Sequence, residues 1–456
     1  MSLDAKQTEQ QPIAHKSELV QLLRDAERPT GPLLLGLEHE RLMFPKASGP
    51  TAQGGEATGI EPVPYEGASG IGKLLEGFAQ FGFKEYREAP GLPVIAMQRG
   101  METLSLEPGG QFELSGSPFQ TTREAHDENV RHVAELKQVG AALGLRAVGL
   151  GYRPFFELAQ MPWMPKTRYK TMRESLGSRG SHAFDMMLMT ATGQVSLDWR
   201  DEADCVRKVT ASVRVSPLLV ALFANSPIAQ GKNSGYQSFR SRVWNDVDPA
   251  RCGYPKAMLD GSFSYSAYVE WALDAPLLFL RRDGQYLAPK LTFREFLAKG
   301  HDGTPATHSD WVDHLSTLFP EVRLKKIVEI RAADANGVAM TGALAALMRG
   351  ILYDGRSLDD ATRLLPDLTP TQHLELHHAA QKEGLGAKIG AGTLADYASE
   401  LVRLAARGLK RLSGDDASLL EPLEEIAASR RSPALDVLEA FEKEKRPEAF
   451  LGRFEI

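Results

Sequence analysis

Acidic side chains recur inside strand-like segments that are otherwise apolar, and this pattern restricts the fold more than any other feature of the chain. Residues 35–40 read LGLEHE, with two glutamates two positions apart, so a strand would project both from one face. Gln194 alternates with apolar neighbours in the same way, and so do Glu329 and Arg331. A buried carboxylate is costly unless it is paired or binds a cation. The pattern therefore predicts a sheet that has one polar, ligand-binding face.

These strands supply oxygen ligands for a hard divalent cation. Glu38 and Glu40 lie in the first segment, and Glu113 lies in a further strand candidate over residues 103–114. Carboxylate sites that keep open positions suit Mg²⁺ bound together with nucleotide phosphates. The alternative is a set of separate salt bridges on a solvated sheet face. That alternative fits a single acidic strand better than several strands with the same pattern.

A Pro-Gly-Gly sequence interrupts the strand candidate at positions 108–110. It predicts a β-bulge within one strand, because proline cannot donate to the sheet and glycine permits the bend. Gln111 and Glu113 after the bulge would share a face, whereas the direction of Glu107 before it stays open.

Strands and helices follow one another without the regular strand–helix–strand rhythm of a parallel sheet, which predicts an α+β fold. Helices are predicted over 17–28, 121–142 and 201–224, strands over 31–44, 191–199 and 326–332, and an irregular segment over 152–183. From about residue 338 the pattern becomes helical and rich in alanine and leucine. We therefore expect a polar, mobile N-terminus (1–16), a domain that carries the acidic strands (17–356) and a helical C-terminal region (357–456) packed on that domain.

Arginines supply positive charge to complement the acids. Arg168 and Arg240 lie in irregular or boundary segments rich in aromatic residues, and Arg331 shares a strand face with Glu329. A planar guanidinium binds carboxylates and phosphates with two parallel hydrogen bonds. Each arginine alone is more often part of a surface salt bridge, but a cation beside a metal-binding acid suits a transferring phosphoryl group.

Composition excludes several classes of protein. The chain of 456 residues carries a net charge of −6 and no basic block, which argues against a nucleic-acid partner. No stretch approaches the roughly 20 apolar residues of a membrane span. Cys205 and Cys252 stand apart without CxxC spacing and the N-terminal sequence has no apolar signal segment, so the cytoplasm is the expected location, with one disulfide left open.

Several longer strings identify a family. They are LEPGGQFELSG, MPKTRY, FDMML, ALFANSP, SFRSRVW, LFPEVRLKKIVEIRAAD and GILYD. In this order, within a stretch from about residue 31 to 356, they closely resemble the plant-type glutamate–cysteine ligases, a family that also occurs in proteobacteria. The first string is long and far more specific than a lone glycine motif.

The resemblance implies a glutamine-synthetase-like fold, in which a curved, mainly antiparallel sheet forms a funnel surrounded by helices. It also implies ATP-dependent joining of the γ-carboxyl of L-glutamate to the amine of L-cysteine through γ-glutamyl phosphate. The product is γ-glutamylcysteine, in the first step of glutathione biosynthesis. Two or three Mg²⁺ ions, small-molecule substrates and a monomer or homodimer are implied as well; the absence of a nucleic-acid or membrane partner is expected from the composition.

The resemblance also assigns roles to individual residues. Arg168, Arg240 and Trp244 would bind glutamate. Arg331 would stabilise the transferring phosphoryl group, with Glu329 as its catalytic partner. The implied metal ligands are Glu38, Glu40, Glu107, Glu113, Gln194 and Glu329.

Two departures from the plant enzymes matter. Those enzymes carry extra cysteines that form regulatory disulfides, and a plastid transit segment, whereas Cys205 and Cys252 do not match those cysteines and no transit segment is recognisable. A bacterial, cytoplasmic enzyme is the better fit. The alternatives are a related carboxylate–amine ligase with another amine acceptor and a catalytically inactive regulatory homologue. The second alternative predicts loss of the site acids or of Arg331, and all are present.

Overall fold

Helices surround one large antiparallel sheet in the computed structural model, which describes residues 11–46, 60–282, 284–412 and 416–456. The strands of the described residues are β1 (Leu35–Pro45), β2 (Lys84–Tyr86), β3 (Ala96–Arg99), β4 (Glu102–Leu106), β5 (Phe112–Ser115), β6 (Leu145–Val148), β7 (Thr192–Leu197), β8 (Ile228–Ala229), β9 (Lys232–Asn233), β10 (Cys252–Gly253), β11 (Leu280–Arg282), β12 (Gln285–Leu287), β13 (Phe319–Pro320), β14 (Val322–Leu324), β15 (Val328–Asp334), β16 (Lys388–Ile389) and β17 (Gly392–Thr393).

The α-helices of the same residues are α1 (Ser17–Arg24), α2 (Ile71–Gly77), α3 (Thr122–Leu143), α4 (Thr167–Leu176), α5 (Ala183–Met189), α6 (Glu202–Phe223), α7 (Phe239–Trp244), α8 (Lys256–Leu259), α9 (Tyr265–Asp274), α10 (Phe293–Lys299), α11 (His308–Ser316), α12 (Val338–Leu352), α13 (Gly355–Thr362), α14 (Pro370–Glu383), α15 (Leu394–Leu412), α16 (Glu421–Ser429), α17 (Pro433–Lys443) and α18 (Pro447–Arg453). None of them is long and apolar enough to cross a membrane.

The large sheet is centred on β1. Its strand order is β14-β15-β7-β1-β5-β4-β3-β2, and β6 pairs with the second half of β1. Every pairing in it is antiparallel. This arrangement confirms the predicted α+β class, because short connections and strand alternation allow one face to stay polar.

The two faces of the sheet differ in chemistry. Leu37, Val195, Leu197 and Ile330 point to the apolar face and join the main hydrophobic core. The helices α3, α6 and α12 pack against that side of the sheet. Since side chains alternate along a strand, Glu38 and its neighbours of the same parity point to the opposite face, away from this core.

Two predictions of local structure were wrong. The bulge expected within residues 103–114 is a hairpin turn between β4 and β5, in which Glu107 N donates to Gln111 O over 3.0 Å. Gly110 has φ +79°, and a Cβ at Gly109 would lie 2.3 Å from the carbonyl oxygen of Leu188, so this turn requires both glycines. The segment predicted to be irregular contains α4, because residues 167–176 are free of proline and glycine after the proline-rich residues 162–165.

The N-terminus differs in part from the expectation of a mobile segment over 1–16. Residues 1–10 lie outside the described part of the chain. Ile13 N donates to Ala306 O over 2.9 Å, and His308 N donates to Gln11 O over 3.2 Å. Ile13 is buried as well, so residues 11–13 are tied to the segment before α11 by backbone bonds that no local pattern reveals.

The C-terminal helices share the main core with the sheet. Leu347 of α12, Leu358 of α13 and Leu401 of α15 belong to the same hydrophobic cluster as Leu37 of β1. The boundary predicted after residue 356 falls within α13, and the division into two units stays a prediction. Cys205 and Cys252 are both free thiols, so the disulfide left open by the sequence does not form.

The crossing of α12 and α15 depends on two glycines. A Cβ at Gly408 would lie 1.9 Å from the carbonyl oxygen of Gly350. Glycine-to-alanine substitution within a helix normally stabilises by about 1 kcal/mol. Overlap with a rigid backbone costs about 1–3 kcal/mol or more. The overlap should dominate here, since the Cβ is rigidly attached to the backbone of α15 and its partner is a main-chain oxygen of α12.

We therefore expect Gly408→Ala to lower the free energy of unfolding by about 2 kcal/mol, seen as a lower urea midpoint. The control is Gly355→Ala, because a Cβ there meets nothing within 4 Å. Equal midpoints for Gly408→Ala and the wild type would contradict a tight crossing.

Candidate active site

Cross-strand register brings the predicted acids together on the polar face of the sheet. Glu38 of β1 lies opposite Gln194 of β7 and Ser115 of β5, and Glu40 lies opposite Glu113. Gln194 Nε2 donates to Glu38 Oε1 over 2.9 Å. Ser115 Oγ donates to Glu113 Oε1 over 2.8 Å. The alternation read from separate segments therefore produces one continuous patch.

A cavity of about 190 Å³ opens over this patch, and we call it the central cavity. The sequence-predicted residues that line it are Glu38, Glu40, Glu107, Glu113, Arg168, Gln194, Trp244 and Arg331. Apolar side chains, among them Met172, Met186 and Phe279, complete its walls. A small cavity with convergent charged groups is the usual form of an active site.

The carboxylates of the central cavity repel one another. Burial and the nearby Glu113 raise the pKa of Glu38 to about 7. Burial, with Glu107 and Glu113, raises the pKa of Glu40 well above its ordinary value. Burial and Glu107 raise the pKa of Glu113. A bound cation would relieve this repulsion and keep these carboxyl groups ionised.

The donor set fits a hard cation that is shared with a ligand. In the described parts of the chain, no group of three or more His, Cys, Asp or Glu side chains is arranged to hold a metal ion by itself. The carboxylates lie in pairs, such as Glu40 opposite Glu113. Mg²⁺ suits this arrangement, because it commonly takes one or two carboxylates and fills its remaining positions with water and phosphate oxygens.

An ion cluster around Glu329 adjoins the cavity: Arg323, Lys325 and Arg331 line the cavity, whereas Glu329 itself does not. Arg323, across the β14–β15 pairing, forms a two-pronged ion pair with the Glu329 carboxylate. Lys325 Nζ lies 3.3 Å from Glu329 Oε1, and Arg331 Nη1 lies 3.2 Å from Oε2. Although burial would raise the pKa of Glu329, Arg323, Lys325 and Arg331 together hold that pKa well below its ordinary range.

Gln194 connects the acidic and basic sides. Its Oε1 accepts a 2.6 Å hydrogen bond from Arg331 Nη1, while its Nε2 donates to Glu38. The Arg331 guanidinium also lies 5.6 Å from the centre of the Trp244 ring. Arg331 is therefore oriented from several directions before any substrate binds.

Three sequence-predicted residues have contacts that the predicted roles do not include. The oxygens of Gln194 and Glu329 accept from Arg331, so neither is an open ligand in this structure. Arg240 is not among the residues that line the central cavity, and its Nη2 donates to the carbonyl oxygen of Arg331 over 3.0 Å. Its Nη1 lies 3.9 Å from Asp334 Oδ1. The roles of all three residues stay predictions.

Sequence reasoning missed several cationic and hydroxyl groups of the site. Arg323 and Lys325 line the central cavity together with Tyr169 of α4. Lys166 is buried immediately before α4, and burial with Arg168 lowers its pKa to about 8. The signal was present, since RLKK and MPKTRY belong to the strings that identify the family.

A model of glutamate–cysteine ligase family 2 matches residues 34–451. The chain belongs to this family. The chloroplastic glutamate–cysteine ligase of Arabidopsis thaliana is 35% identical over 94% of this chain and 80% of its own length. The Medicago truncatula enzyme is 36% identical over 93% of this chain and 82% of its own length. The sequence-based identification of a glutamate–cysteine ligase is confirmed by these matches.

Two solved ligase structures have a fold similar to that of this chain. A glutamate–cysteine ligase from Francisella tularensis, solved in complex with AMP, superposes with a TM-score of 0.57 at 12% identity and covers 94% of this chain and 88% of its own. A bifunctional glutathione synthetase from Pasteurella multocida gives 0.51 at 12% identity, over 98% of this chain and 53% of its own. At this identity the likeness concerns the fold alone, and it agrees with the predicted ligase fold.

Glu38, Glu40, Glu107 and Glu113 form the acidic wall of the central cavity. If this wall binds a cation, substitution of one of its carboxylates should weaken that binding. Glu113→Gln removes one anionic donor opposite Glu40. We expect the affinity for Mn²⁺, used as a spectroscopic substitute for Mg²⁺, to fall at least ~10-fold in the presence of ADP. Electron paramagnetic resonance of free Mn²⁺ measures it directly.

The matched control is Glu85→Gln, which neutralises an exposed glutamate on β2 of the same sheet. It should leave the Mn²⁺ affinity unchanged. Equal affinities for Glu113→Gln and the wild type would remove Glu113 from the cation site.

Proposed function

We propose that this chain is an ATP-dependent ligase that joins the γ-carboxyl of L-glutamate to the amine of L-cysteine. The observation that supports it is the central cavity, where carboxylates of β1 and β5 face the guanidinium of Arg331. The acidic wall offers oxygen ligands to Mg²⁺. The basic wall, formed by Arg323, Lys325 and Arg331, offers positive charge to anionic substrates. Family membership supplies the reaction class.

The two walls match the charge changes of such a ligation. A carboxylate oxygen is a poor leaving group, so the γ-carboxylate first attacks the γ-phosphorus of ATP and ADP leaves. The neutral amine of the second substrate then attacks the acyl carbon, and phosphate leaves with the bonding electron pair. The new amide nitrogen loses its extra proton to solvent. Mg²⁺, when bound, would supply charge neutralisation on the phosphates.

We assign the residues of the cavity according to their contacts. The proposed ligands of two or three Mg²⁺ ions are the carboxylates Glu38, Glu40, Glu107 and Glu113. Arg168 and Trp244 are proposed to bind glutamate from the opposite side. Arg331 is proposed to stabilise the transferring phosphoryl group, oriented by Gln194 and Glu329. Arg240, whose Nη2 donates to the carbonyl oxygen of Arg331, is kept as a further candidate for glutamate binding.

We also propose a cytoplasmic location and a role in the first step of glutathione biosynthesis. The two free thiols agree with a reducing compartment. The plant relatives named above are chloroplastic, which makes the location a separate question from the reaction. A monomer or a homodimer is proposed for the assembly.

The decisive experiment measures phosphate release from ATP in the presence of Mg²⁺ and L-glutamate, with L-cysteine or another amine added. We expect release that requires cysteine and forms γ-glutamylcysteine, identified by mass spectrometry. Glutamate-dependent release with a different preferred amine would support the related carboxylate–amine ligase instead. Folded protein that turns over no amine would support the inactive homologue.

Arg331 should act on the chemical step more than on glutamate binding. Its Nη1 is already bonded to Gln194 and Glu329, so it is preorganised to stabilise charge that develops during phosphoryl transfer. Arg331→Ala is expected to lower kcat by about 100-fold or more while changing the KM for glutamate by less than ~5-fold.

Arg331→Lys is the matched variant, because it keeps the charge but loses the planar fork. It should recover part of kcat. Equal and mild effects of Arg331→Ala on kcat and KM would contradict the assigned role.

A further inference from the structure

Three cavities adjoin above the polar face of the sheet. The central cavity shares Arg168 and Phe279 with a side cavity of about 300 Å³, formed by α4, the β11–β12 hairpin and α11. An end cavity of about 390 Å³ lies where β1, β5 and β7 approach the turn between β14 and β15. It shares Glu38 with the central cavity.

Among the described residues, Lys325 alone lines all three cavities. It is the first residue of the tight turn between β14 and β15, in which Lys325 N donates to Ile327 O over 3.0 Å. The next residue, Lys326, lines the side and end cavities but not the central one. The Lys325 side chain therefore stands at the point where the three spaces meet.

Lys325 forms an ion pair with Glu329, but Glu329 has two other cationic partners and does not depend on Lys325 for charge neutralisation. Its Nζ lies 3.3 Å from Glu329 Oε1. The Glu329 carboxylate already has Arg323 on both oxygens and Arg331 on one of them. Three cations thus face two carboxylates, Glu329 and the nearby Glu38, so the cluster keeps a surplus of positive charge beside the cavities. Such a surplus is suited to an anion that enters from solvent.

A ligation with a nucleotide and two amino acids must bring groups from different substrates to one point. The γ-phosphoryl group is the one that changes partners, and it carries most of the charge in the transition state. A cation at the meeting point of the cavities can contact this group both before and after transfer. Arg331 lines the central cavity but neither of the other two, so it does not occupy the same point.

We propose that Lys325 is a catalytic residue whose ammonium group contacts the γ-phosphoryl group during its transfer from ATP to the substrate carboxylate. The proposal rests on the proposed function of the central cavity. In this step a carboxylate oxygen forms a bond to phosphorus, and the bond from phosphorus to the bridging oxygen breaks. ADP takes the electron pair, and no proton moves. The ammonium group balances the charge on the phosphoryl oxygens.

The test compares Lys325→Met with Lys84→Met, which removes one positive charge from an exposed position of β2 in the same sheet. Hydroxylamine replaces cysteine as the amine, so that the rate of γ-glutamyl hydroxamate formation reports the phosphorylation step without the natural acceptor. We expect Lys325→Met to lower kcat by about 100-fold or more, with the KM for glutamate within ~3-fold of the wild type. Lys84→Met should keep kcat within ~3-fold of the wild type.

Lys325→Arg keeps the charge at a longer reach and should recover at least ~10-fold of the rate lost in Lys325→Met. A kcat within ~3-fold of an active wild type for Lys325→Met would overturn the proposal. If Lys325→Met does not fold, Lys325→Gln decides, and a folded variant with nearly wild-type kcat overturns it equally. A wild type that forms neither the hydroxamate nor γ-glutamylcysteine would instead overturn the proposed function.

Discussion

Mutual repulsion among carboxylates that are at least half-buried is the constraint on which the site depends. Glu38, Glu40 and Glu113 lie side by side on one sheet face, and each has a pKa raised by burial and by another acid. Such a patch costs free energy unless positive charge compensates it. The protein supplies part of that charge on the neighbouring strands β14 and β15, and a bound cation would supply more. The folded protein therefore has negative charge at the site that its own cations do not fully compensate, and this favours the binding of a metal cation.

Gln194 lies between the acidic and basic walls and forms a hydrogen bond with each of them. A charged residue at this central position would pair with one wall and weaken the other, whereas a neutral amide donates to Glu38 and accepts from Arg331. Its two ends therefore satisfy both neighbours at once. The separation leaves room between the walls for ligands that carry both negative charge and metal ions.

Sequence alone predicted the polar face well and its surroundings less well. Strand alternation places Glu38 and Glu40 on one face whatever the tertiary fold, so this part follows from backbone geometry. The contribution of Arg323 depends on which residue lies opposite Glu329 across β14 and β15, and register of this kind is not visible in one segment. Arg240 is predicted to bind substrate because of its aromatic neighbours, and this role stays a prediction. Its hydrogen bond to the backbone of Arg331 depends on the packing of α7 against β15, which no single segment reveals.

The opposite parity of β1 gives the strand a second consequence. His39 and Arg41 alternate with the two glutamates and are fully buried on the other face, where Arg41 Nη2 donates to Thr341 Oγ1 of α12 over 3.3 Å. Loss or gain of a single codon within this strand would exchange the two sets, sending carboxylates into the core and the imidazole into the cavity. A one-residue insertion or deletion within β1 would therefore disrupt the cavity and the core together, which a change in loop length would not.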